Sequence, residues 1–118
     1  MKTKWIKKMF NFVNQELFDN MLDMPEIYVL DDTFIKKAAI DWELPLFDGV
    51  CVYDEERYFL GMYAGLNEVQ SFNTLVHEMI HMYTHRYHRE YLGHGGWFRV
   101  YCEKAYEIFY REEIKWKL

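Results

Sequence analysis

The order of hydrophobic periodicities along these 118 residues predicts an α+β domain. It reads as an N-terminal helix, a small, mainly antiparallel sheet of about three to four strands, a central helix and a C-terminal helix. Three observations support this. Apolar residues fall at helical spacing near the start and again through the second half. The middle alternates like strands and carries turn residues. The composition is 51% hydrophobic and 19% aromatic, enough for one core without staples, so residues 1–118 are read as a single domain.

The first helix is expected over Thr3 to Asp23. Ile6, Met9, Phe10, Val13, Leu17, Met21 and Leu22 make one face, and Pro25 ends it. Lys2, Lys4, Lys7 and Lys8 read as its solvated side. Glu26 to Leu30 is an extended stretch. Ala38 to Leu44, Gly49 to Tyr53 and Arg57 to Tyr63 are candidate strands. Asp48-Gly49 is a turn, and Asp54-Glu55-Glu56 joins the last two strands as a hairpin. A central helix starts near Asn67, which has the spacing of a capping box with Gln70. It ends before the Gly93-His94-Gly95-Gly96 cluster, where glycines favour a turn. A last helix runs from Trp97 to near the end, on the repeat Trp97, Tyr101, Ala105, Ile108 and Phe109.

Several classes are excluded early. The net charge of −5 argues against generic nucleic-acid binding. Cys51 and Cys102 are isolated, so neither a disulfide framework nor a zinc ribbon is expected. No apolar run is long enough to span a membrane, and Lys7 and Lys8 interrupt any signal-peptide core. A cytoplasmic monomer with no membrane partner is the expectation.

The chemistry-bearing pattern is His77-Glu78-Met79-Ile80-His81. Residues four apart on a helix share a face, with Cβ atoms about 5–6 Å apart. Two imidazoles so placed can converge on one Zn²⁺, each at roughly 2.0–2.1 Å. Neutral imidazoles bind the ion without cancelling its charge. Glu78 stands where a general base would take a proton from the attacking water. A catalytic zinc needs a third protein ligand and one open position. A metzincin-type pattern would need Gly and His where this chain has Thr84 and Tyr87. His94, flanked by Gly93 and Gly95, is the favoured third ligand; Glu103, Glu107 and Glu112 are the alternatives. His85 and His88 are assigned to the surface or to supporting hydrogen bonds. The rise from His77 to His85 is about 12 Å, too far for both to reach one ion.

Thr74 to His81, followed by Gly93-His94-Gly95 and Phe98, resembles the SprT-like (Spartan-type) zinc metalloprotease domain. Asn14 and Leu17-Phe18 resemble its first helix. The resemblance implies a zincin-like fold with the sheet over the catalytic helix. It implies one zinc per chain on His77, His81 and His94, with Glu78 as catalytic base. It also implies a zinc metalloendopeptidase acting on polypeptides, DNA-associated ones among them. The 118 residues contain no Cys-rich ribbon, so the match is to a minimal form, and the acidic balance argues against DNA targeting.

Tyr83, Tyr87, Tyr91, Arg86 and Arg89 are candidate oxyanion partners, and Arg57 to Tyr63 is the candidate strand for holding an extended substrate. Two rival readings are a non-catalytic zinc-binding interaction module and a DNA-associated factor that uses Lys4, Lys7 and Lys8.

Overall fold

A computed structural model describes residues 2–41, 47–90 and 94–110. In chain order the elements are α1 (Thr3–Phe18), β1 (Glu26–Leu30), α2 (Asp32–Asp41), β2 (Gly49–Asp54), β3 (Arg57–Tyr63), α3 (Glu68–His88) and α4 (Gly96–Ala105). A π-helical turn, Tyr106–Tyr110, follows α4 directly. The fold is α+β, with four α-helices and a three-stranded mixed sheet among the described residues.

Helix α1 buries Ile6, Met9, Phe10, Val13 and Leu17, as their spacing requires, and leaves Lys4, Lys7 and Lys8 exposed. It stops at Phe18, short of the expected Asp23. Asp19 and Asn20 take left-handed backbone, at φ 50° and 61°, and both return their N–H groups to the Asn14 carbonyl. Asp and Asn tolerate this region better than most residues. The buried Asn14 side chain then holds Leu22 at both backbone groups: Nδ2 donates to its carbonyl at 2.8 Å and Oδ1 accepts from its N–H at 3.1 Å. Leu22 therefore reaches the core through a loop, while Met21 stays 50% exposed.

The strand expected over Ala38 to Leu44 is not found where the chain is described. Ala38 to Asp41 belong to α2, and residues 42–44 lie outside the described residues. The helix is started by Asp31, whose Oδ1 accepts from the Phe34 N–H at 2.8 Å. Ile35 and Ala38, three apart, are its buried contacts.

The sheet order is β1-β3-β2. β2 and β3 are antiparallel, with Cys51 opposite Leu60 and Asp54 opposite Arg57. Glu55 and Glu56 make the two-residue connection, both with positive φ (49° and 64°), the arrangement whose twist suits a hairpin. β1 runs parallel to β3, Glu26 opposite Phe59 and Leu30 opposite Tyr63. The sheet is thus mixed, where a mainly antiparallel one was expected. Because β3 is central and hydrogen-bonded on both sides, Arg57 to Tyr63 cannot receive a further strand. Among the described residues β2 pairs on one side alone.

One core joins the layers. Met9, Phe10 and Val13 from α1, Cys51, Leu60 and Met62 from the sheet, and Phe72, Leu75, Met79 and Met82 from α3 form a single cluster, joined by Phe98, Ala105 and Phe109. The π-helical turn is anchored on α3 by the Tyr110 hydroxyl, which donates to Asn73 Oδ1 at 2.7 Å. Trp97 and Ile108, expected on the inner face of the last helix, are more than two-fifths exposed; residues 111–118 lie outside the described ones. Among the described residues no helix is long and apolar enough to cross a membrane.

Candidate metal centre

Helix α3 carries the site, and its start is fixed by the expected capping box. Asn67 Oδ1 accepts from the Gln70 N–H at 2.8 Å, and Gln70 Oε1 from the Asn67 N–H at 3.0 Å. His77 and His81 lie well inside the helix, one turn apart, with their Nε2 atoms 3.1 Å from each other. His94 comes in from the segment before α4. Its ring centroid lies 5.1 Å from that of His77 and 5.0 Å from that of His81. One nitrogen from each of the three falls within 4.8 Å of the others. Phe98 packs against all three rings, closest to His81 at 4.4 Å.

The triad is graded in exposure: His81 buried, His77 half-buried, His94 exposed. Burial, then the neighbouring imidazoles His77 and His94, pushes His81 down to about 4, with Glu90 opposing weakly. Burial and then His94 lower His77 as well. Both rings are neutral near pH 7, so their lone pairs are free for a cation. Nδ1 of His81 is buried and has no hydrogen-bond partner among the described residues; Nε2 is the atom turned towards His77. The donor set, three neutral imidazoles with no carboxylate among them, fits a divalent metal of the zinc class.

Glu78 follows His77 on α3. It is 8% exposed and lies against the start of β2, where a Cβ added to Gly49 would stand 3.5 Å from its Cγ and 2.6 Å from Thr74 Cγ2. Glycine at 49 is what lets strand and helix approach so closely. Burial raises the Glu78 carboxyl to about 7. A carboxyl near neutrality can both accept and return a proton.

Among the described residues Glu103 and Glu107 do not join the His77–His81 pair, and Glu112 lies outside them. His85 and His88 stand apart from the triad, as expected. His85 Nδ1 meets the Tyr58 hydroxyl, and His88 stacks on Trp97 at 3.9 Å. Of the oxyanion candidates, Tyr83 stacks on Phe18 at 4.6 Å and the Tyr87 hydroxyl donates to the Met21 carbonyl. Arg86 lines a separate cleft with Met21, Arg57 and Tyr58, and Tyr91 is outside the described residues.

The sequence reading missed Glu90. Its carboxylate accepts from the N–H groups of Trp97 (3.0 Å) and Phe98 (3.1 Å), the first turn of α4. A carboxylate six residues ahead of a helix matches no local capping pattern, so no sequence signal marks it. Of the glycines flanking His94, Gly93 lies outside the described residues and Gly95 has φ −78°. None of the described glycines has a positive φ.

No family model, no curated protein and no solved structure matches the chain.

Proposed function

We propose that the protein is a zinc-dependent peptidase of the SprT-like kind, hydrolysing peptide bonds in polypeptides. The observation that carries this reading is the convergence of three imidazoles within 4.8 Å, beside a buried carboxylate at the next helix position. A purely structural site has no use for that carboxylate.

His77, His81 and His94 would hold one zinc ion per chain. When bound, zinc supplies a Lewis acid for the scissile carbonyl and lowers the pKa of water to about 7. Glu78 takes the proton of the attacking water and returns it to the leaving amine. Its buried side, towards Gly49 and Cys51, keeps bulk water from competing for that proton. Among the described residues β2 is paired on one side alone, and its first residue, Gly49, lies next to Glu78, so an extended substrate is assigned to β2 in place of β3.

Glu78→Gln tests the reading. Metal content should stay at that of the wild type, while hydrolysis of an unfolded protein falls by about 10²–10⁴-fold. A wild type that holds zinc yet cleaves neither unfolded nor DNA-bound protein would leave a metal-binding module instead.

A further inference from the structure

We propose that Glu90 is the positioning residue for the third imidazole: by joining α3 to the first turn of α4, it holds His94 over the His77–His81 pair. The inference rests on the reading of the three histidines as one metal centre and adds to it a residue outside the motif.

His77 and His81 need no outside help, because helical geometry sets their separation. His94 has no such guarantee. It is exposed and lies beyond the end of α3. That end is abrupt: Arg89 takes left-handed backbone at φ 53° and returns its N–H to the Thr84 carbonyl. The Glu90 N–H goes to the same carbonyl at 3.1 Å. Glu90 is therefore tied to α3 through its backbone.

Its side chain is tied to α4. Position 95, the N-cap just ahead of that helix, is a glycine and offers no side-chain cap. The Glu90 carboxylate fills the role, one oxygen on each of the Trp97 and Phe98 amides. An anion at a helix N-terminus with two N–H donors is a strong arrangement. Glu90 is thus joined to residues 97 and 98, and His94 lies between these anchor points in the sequence. Phe98, one of the two donors, also carries the ring that packs on all three imidazoles.

Gly95 completes the device. A Cβ there would stand 2.9 Å from Glu90 Oε1 and 3.0 Å from its Cδ. That carboxylate cannot swing aside without losing its amides. Glycine at 95 is needed for room beside Glu90, since its φ of −78° is open to any residue.

The test is Co²⁺ titration followed by visible absorption, with no substrate present. It compares wild type, Glu90→Ala, His94→Ala and the double variant, each checked for helix content. Glu90→Ala should weaken Co²⁺ binding by about 10–100-fold, the usual effect of losing a residue that orients a ligand. In the His94→Ala background it should change nothing, because the residue it positions is gone. Glu90→Gln, which keeps one acceptor oxygen, should fall between, and Gly95→Ala should weaken binding with the carboxylate still present. Equal affinity in Glu90→Ala and wild type overturns the inference, as does an equal loss in both backgrounds, which would mean general destabilisation. A wild type that takes up no Co²⁺ removes the metal centre itself, a different failure from either.

Discussion

Asn14 gives both ends of its amide to a single residue. Its buried side chain pairs with the N–H and the carbonyl of Leu22, as a neighbouring strand would. Removing it strands two backbone groups beside the core, each at a cost of about 1–3 kcal/mol. Asn14→Ala should therefore lower the unfolding free energy by about 2–4 kcal/mol. A urea transition should shift its midpoint at constant slope; an unmoved midpoint would mean that water replaces the amide. Residue by residue, legibility followed locality. His77 and His81 were readable because helical spacing alone brings them together. His94 was readable from its glycine neighbours, although Gly95 serves close approach and not a turn. Glu90 was not, because its partners lie seven and eight residues on in an element whose position the sequence does not state.

Among the elements, the β2–β3 hairpin carries visible strain. Glu55 and Glu56 both hold positive φ, which costs a residue with a Cβ about 1 kcal/mol or more. Replacing them with Asn and Gly, E55N/E56G, suits the same backbone. It should raise stability by about 1 kcal/mol, seen as a higher melting temperature; a lower one would contradict the turn assignment. The turn itself was legible from its length. Helix α2 was not. A short apolar stretch such as Ala38 to Leu44 does not separate strand from helix by periodicity, and the deciding signal, the Asp31 cap, lies upstream of it. The end of α1 was misread for a related reason. Leu22 returns to the core at a spacing that imitates another helical turn.

At the scale of the whole molecule, the buried interior sets an alkaline limit. Burial, then Glu78, pushes the Cys51 thiol up to about 12. Burial, then Cys51 and Tyr53, does the same for Tyr58, and burial followed by Cys102 for Tyr110. Unfolded, such groups lose their protons at about 8.5 for a thiol and about 10 for a phenol. Between those values and about 12 the unfolded chain binds fewer protons than the folded one, so stability falls as pH rises. Below pH 8 the contribution is complete. Urea midpoints at pH 8, 9.5 and 11 should decline in that order; a level series would contradict it. Of the global plan, helix, sheet, helix, helix was legible in the periodicities. The strand order was not, since nothing local in Glu26–Leu30 says that it pairs with β3 across an intervening helix and strand.

That parallel pairing also governs how the chain can assemble. Closing β1 onto β3 joins segments separated by all of α2 and β2, so it bears the largest loop-closure entropy in the sheet. The hairpin, by contrast, closes over two residues. His94 follows the end of α3 closely in the sequence. The histidine triad is thus a product of nearer neighbours in the sequence, and the edge strand β1 a product of more distant ones. By loop-closure entropy alone, bringing the three histidines together costs less than closing β1 onto β3.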